Sequence, residues 1–112
     1  MKEERPWGWY DVIDKGSSYK VKSIQVEPGK SLSLQRHMHR SEHWVVVEGT
    51  ALVQVDDNKE FVNVNEGSYV PICAIHRLSN PGKIPLRIIE VQCGSYLEED
   101  DIERFDDDFG RV

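Results

Sequence analysis

Short clusters of turn-forming residues divide the middle of the chain, and they limit what it can fold into. They are Glu27-Pro28-Gly29-Lys30, Glu48-Gly49-Thr50, Asp56-Asp57-Asn58-Lys59, Asn65-Glu66-Gly67 and Pro81-Gly82. Between them lie Tyr19–Val26, Ser31–Met38, Trp44–Val47, Ala51–Val55, Glu60–Val64, Ser68–Pro71 and Leu86–Cys93. Each is too short for a typical helix and carries the Val, Ile and aromatic content of a strand. Strands at this regular spacing, with almost no helical periodicity, predict an all-β sandwich or barrel.

The length, 112 residues, allows one domain over 1–112 with a core of its own. Residues 1–13 form an aromatic-rich arm, broken by Pro6 and Gly8, and residues 95–112 form an acidic tail. In that tail Ser95-Tyr96-Leu97-Glu98 reads as a capping box, and Ile102, Phe105 and Phe109 as one face of a short helix. A formal net charge of −6 and a pI of about 5.1 argue against a nucleic-acid partner. No apolar run is long enough to span a bilayer, and the N-terminus lacks the apolar stretch of a secretory signal. Two cysteines, Cys73 and Cys93, make no disulfide framework, so a reduced cytoplasmic protein is expected.

The residues with chemical potential crowd into Ser31–Trp44. This stretch holds His37, His39 and His43, with Gln35 and Glu42 among them. Alternation puts Leu32 and Leu34 on one strand face and Gln35, His37 and His39 on the other. Glu42 follows after a short turn and opens the next strand. Donors on one strand face can converge on a single ion, so the cluster predicts a metal site between two strands. The fourth histidine, His76, stands near the start of a later short strand. Lys22 shares parity with Ile24 and Val26 and is expected either to point inward, where a buried amine needs an anion, or to lie in water on an edge strand.

Gly29, Gln35-x-His37, Glu42 and Gly49, followed by Gly67, Pro71, His76 and Asn80, resemble the two signature motifs of the cupin superfamily. Gln35 stands where the first motif usually has a His, and Cys73 where the second usually has Gly. More specifically, RPWGWY, the block LQRHMHRSEHWVVVEGTA, and HRLSNPGK through IEVQCGSY together resemble type II phosphomannose isomerases. The resemblance implies a cupin double-stranded β-helix, a jelly-roll barrel, here with a short acidic C-terminal helical tail.

The resemblance further implies one divalent metal ion, zinc first, with cobalt, manganese or iron as alternatives. It implies interconversion of mannose 6-phosphate and fructose 6-phosphate through a cis-enediol, or, as the alternative, a non-catalytic cupin that binds metal and sugar phosphate. The expected ligands are Gln35, His37, Glu42 and His76; the rival set replaces Gln35 with His39. For proton transfer the candidates are His39 and then Glu90, which shares a strand face with Gln92. For the phosphate they are Arg40, then Lys22 and Arg77. Small cupins commonly pair, and the aromatic arm would be exposed if left alone, so a homodimer is expected. Cys73 is expected to be a small buried filler.

Overall fold

The computed structural model describes residues 1–111 and is built from eleven strands with no helix among them. Two antiparallel sheets form it. The larger has the order β1-β2-β3-β10-β5-β8 and the smaller β11-β4-β9-β6-β7. In the larger sheet β1 is Lys2–Arg5, β2 Gly8–Lys15, β3 Tyr19–Val26, β5 Arg40–Glu48, β8 Gly67–Val70 and β10 Leu86–Gly94. In the smaller, β4 is Leu34–Arg36, β6 Ala51–Val55, β7 Asn58–Val62, β9 His76–Ser79 and β11 Glu103–Asp106.

Alternation along the long strands decides which side chains enter the space between the sheets. On β10 the buried residues are Leu86, Ile88, Glu90 and Gln92; on β5 they are Arg40, Glu42, Trp44 and Val46. Register then ties them into rows. Ile88 lies opposite Ile24 and Val46, Glu90 opposite Lys22 and Trp44, and Gln92 opposite Lys20 and Glu42. Each inner face is therefore apolar at one end and polar at the other. Val26, Leu86, Ile88 and Val46 are at most 1% exposed and close the apolar end with Val53 and Leu78. The polar end is where the chemistry collects.

Turns are placed as the sequence indicated. Gly49 adopts φ +82°, and a Cβ there would lie 2.8 Å from the Pro85 carbonyl oxygen, so glycine is required twice over. Asn80 closes the Pro81-Gly82 turn: its side-chain amide donates to the carbonyls of Val26 and Ile84, at 2.9 Å each.

Several expectations are corrected. The strand expected over Ser31–Met38 shrinks to Leu34–Arg36, with a lone bridge from Ser31 to Ser79. Glu42 lies inside β5 and not before it, because pairing with β10 begins at Arg40. The tail is not helical. Glu103–Asp106 pairs with β4 as an edge strand, and like charges three and four apart along Glu98–Glu103 oppose a helix there. Within the arm, Trp7 and Tyr10 are 5% and 8% exposed, because the β1–β2 hairpin turns them into the chain's own core. Cys73 is exposed, at φ +68°, and so fills no part of the core. Lys22, at 4% exposure, does point inward.

Candidate functional site

His37 follows β4, His76 opens β9 and Glu42 lies on β5, so both sheets contribute to one point at the polar end. An imidazole nitrogen from each histidine and a carboxylate oxygen of Glu42 lie within 4.8 Å of one another. The three side chains are 4%, 3% and 2% exposed. Their orientation is fixed from behind. His37 Nδ1 is 2.6 Å from the Asp101 carbonyl oxygen, and His76 Nδ1 is 2.9 Å from that of Ala74. A carbonyl oxygen only accepts, so each Nδ1 carries the proton and each Nε2 offers its lone pair to the interior. Those Nε2 atoms stand 3.3 Å and 4.0 Å from Glu42 oxygens.

Gln35 lies directly opposite His76 in the β4–β9 register, which puts both side chains on one face. Its amide nitrogen donates to the hydroxyl and carbonyl of Ser33 at 3.0 and 3.3 Å, leaving Oε1 as the end available to an ion. Arg40 Nε donates to Glu42 Oε2 at 2.8 Å, and its Nη2 donates to His37 Nε2 at 3.2 Å. Trp44 Nε1 bridges the two buried acids, donating to Glu42 Oε1 at 3.0 Å and to Glu90 Oε2 at 3.1 Å. Gln92 Nε2 donates to Glu90 Oε1 at 2.6 Å.

The two acids divide one proton between them. Burial alone would raise the Glu42 carboxyl, but Arg40, His76 and His37 outweigh it and hold it down at about 2. Burial, and after it the charge of Glu42, pushes Glu90 up to about 8. The proton therefore sits on Glu90 at neutral pH, and Glu42 is the anion. Burial pushes His37 down to about 4, so it is neutral and able to ligate. Two imidazoles, one carboxylate and an amide oxygen form a mixed nitrogen–oxygen set that fits zinc or another borderline first-row ion.

The residues foreseen for the site separate cleanly. Gln35, His37, Arg40, Glu42, His76, Glu90 and Lys22 all line one cavity. Lys22 Nζ is 2.9 Å from Glu99 Oε2, which supplies the anion that its burial requires. His39 is outside: its side chain is 55% exposed and its Nδ1 is 3.2 Å from Asp101 Oδ1. The chain leaves the strand after Arg36, so the two-residue alternation that placed His39 on the ligand face no longer applies. The ligand set with His39 in place of Gln35 does not converge. Arg77 lies beyond the cavity wall, paired with Asp106 at 3.1 Å.

Sequence reasoning missed the contribution of the tail. Glu99, Ile102 and Arg104 line the cavity, as do Arg5 from the arm and Arg111. Asp101 is buried, accepting the backbone N–H groups of Met38 and His39 at 3.0 Å each. The alternation Ile102, Arg104 was a usable signal, obscured by a helical reading of the same stretch.

A family model described as "Mannose-6-phosphate isomerase C-terminal" matches residues 1–107. The alginate biosynthesis protein AlgA of Pseudomonas putida is 62% identical over 108 residues, which are 96% of this chain and 22% of that protein. Mannose-1-phosphate guanylyltransferase of Escherichia coli is 59% identical over 108 residues, 96% of this chain and 23% of that protein. Among solved structures, an oxalate decarboxylase of Lactobacillus farciminis superposes with a TM-score of 0.81 at 21% identity, covering 94% of this chain and 33% of that one. An RmlC-like cupin from Shewanella frigidimarina gives 0.77 at 19% identity, covering 89% and 86%. At such identities the likeness carries the fold alone, and that fold is the cupin double-stranded β-helix.

These relatives correct the functional expectation. The chain spans little more than a fifth of the length of the curated relatives it matches, and those relatives are named for guanylyl transfer and for alginate biosynthesis. A self-contained converter of mannose 6-phosphate and fructose 6-phosphate, or a free-standing binding module, is not what they support. They support a domain that recurs within larger biosynthetic enzymes.

Proposed function

The chain belongs to the mannose-6-phosphate isomerase C-terminal family, and on that premise we propose that it is the metal-bearing domain of an enzyme that handles phosphorylated mannose. The observation that carries this reading is the convergence of His37, Glu42 and His76 on one buried point at the wall of a single cavity. His37 Nε2, His76 Nε2, a Glu42 oxygen and Gln35 Oε1 would hold one divalent ion. Zinc is the first choice, and cobalt, manganese and iron suit the same donors. When bound, such an ion supplies Lewis acidity to a substrate oxygen.

The remaining roles belong to the chain's own groups. Glu90 holds a proton inside the cavity, with its two oxygens fixed by Trp44 and Gln92, and so is placed to act as the acid or base toward a bound sugar. Arg40 braces Glu42 and turns the carboxylate toward the two imidazoles. Free, exposed Cys73 and Cys93 support a reduced, cytoplasmic setting.

The test is metal content. The wild-type chain, loaded with zinc and desalted, should carry about one ion per chain by elemental analysis. His37→Ala and His76→Ala should lose it, and Glu42→Gln, which removes the anionic donor, should bind far more weakly. Full occupancy in all three variants would refute the assignment.

A further inference from the structure

Arg40 enters the polar end from β5, only 6% exposed, and its guanidinium is engaged by two of the expected metal ligands. Nε donates to Glu42 Oε2 at 2.8 Å, and Nη2 donates to His37 Nε2 at 3.2 Å. These two acceptors are not alike. A carboxylate has about four lone-pair sites on its two oxygens, so Glu42 can accept from Arg40 and still ligate an ion. A neutral imidazole has a single acceptor nitrogen, with a single lone pair. In His37 the proton is on Nδ1, which lies 2.6 Å from the Asp101 carbonyl oxygen. Nε2 is therefore the atom that can take either a metal ion or the Arg40 donor, and it cannot take both.

The charges add to this conflict. Arg40 is the basic partner of the Glu42 carboxylate at 2.8 Å. An ion held by Glu42, His37 and His76 would bring its double charge beside a guanidinium that is itself buried. Glu42 does not depend on Arg40 alone for its orientation, because Trp44 Nε1 donates to its other oxygen at 3.0 Å. The contact that has to be given up when an ion takes the site is thus the bond from Arg40 Nη2 to His37 Nε2. Buried donors are rarely left without acceptors, and Nη1 of the same guanidinium already has none. Exchanging the donor for an ion therefore has a cost, and the fold sets it.

We propose that Arg40 is an internal competitor for the metal ion: its guanidinium holds the ligand nitrogen of His37, and an ion enters by displacing that one hydrogen bond while the bond to Glu42 persists. The inference rests on the reading of His37, Glu42 and His76 as metal ligands, and it gives their site a threshold. Magnesium and calcium prefer oxygen donors and gain little from an imidazole, so they do not offset the lost bond; zinc and cobalt do. The cost of displacement is common to every divalent ion that takes His37. Arg40 therefore lowers the affinity for all such ions together and leaves the order among them unchanged.

The experiment measures the zinc and cobalt affinities of the full chain at neutral pH, by competition with a chromophoric chelator. Arg40→Met keeps much of the stem and removes the donors and the charge. It should bind both ions roughly tenfold or more tightly than wild type, and by the same factor. Arg87→Met removes a cation from outside the cavity, where its Nη2 donates to Gln25, and should bind like wild type. Side-chain nitrogen NMR of the wild type gives a second readout that needs no substitution and holds even if Arg40→Met does not fold. Loading with zinc should leave the Arg40 Nε–H signal in place and shift the Nη signals and His37 Nε2 together. Zinc affinity that is unchanged or weaker in folded Arg40→Met, a gain for one ion only, or Nη signals that ignore bound zinc would overturn the proposal and leave the metal reading standing. If neither wild type nor Arg40→Met binds either ion, both end together.

Discussion

Glu90 and His37 titrate oppositely, and this makes the metal-free protein's pH behaviour readable. His37 falls from an ordinary 6.5 to about 4 in the fold, so stability tied to it is present above pH 6.5 and is lost as pH falls towards 4. Glu90 rises from 4.5 to about 8, so the folded state holds the extra proton and stability declines as pH rises from 4.5 through 8. Between pH 6.5 and 8 the His37 contribution is complete, and Glu90 should dominate. Urea melts of metal-free wild type should show a loss of about 1–2 kcal/mol across that interval, and Glu90→Gln should remove it. Equal slopes in the two proteins would assign the effect elsewhere. Trp44 is the second test of this pair. Trp44→Phe strips the indole N–H shared by Glu42 and Glu90 and should cost about 1–3 kcal/mol, since two buried oxygens each lose a donor.

The C-terminal segment is the element where sequence and structure part furthest. Ile102, Phe105 and Phe109 are spaced as on a helix, and that spacing outweighs the short alternation of Ile102 and Arg104; the decisive partner is β4, some seventy residues earlier. Phe109 does pack against the core, but Phe105 is 40% exposed, so the supposed apolar face does not exist. By contrast, β3 and β10 were legible because alternation is local, although it left open whether Lys22 turns inward, which the structure shows it does. Asp101 is the residue by which the tail acts on the site. Its carboxylate takes the N–H groups of Met38 and His39, and its carbonyl orients His37. Asp101→Ala should cost about 1–3 kcal/mol in chemical denaturation, because two backbone donors lose a charged acceptor. It should also weaken zinc binding by about tenfold or more, as the loss of outer contacts to a ligand does. Unchanged affinity in a competition assay with a chromophoric chelator would show that the turn holds His37 without it.

Across the whole molecule, stability and chemistry occupy opposite ends of the same strands. Ile88 and Glu90 are two residues apart on one face, one fully buried in the apolar end and the other in the cavity. Ile88→Ala should therefore lower stability by about 2–5 kcal/mol, as large-to-small changes at fully packed sites do. Zinc stoichiometry measured well below the melting temperature should stay near one per chain; loss of the ion from an otherwise folded variant would show that the two ends are coupled. The barrel, and the meeting of His37, Glu42 and His76 inside it, were legible because motif spacing and turn spacing agree. The cationic wall was not, since Arg5, Arg104 and Arg111 meet only when both termini are folded onto the same opening.

The central position of β10 between β3 and β5 has a consequence for synthesis. Neither of those strands can acquire its full set of backbone partners until Leu86–Gly94 has been made. His37 emerges from the ribosome 64 residues ahead of Asp101, the residue that orients it. A growing chain therefore presents His37 and Glu42 before the strands and the tail residue that hold them in place have been made. The orientation of His37 is fixed only once Asp101 has joined the fold.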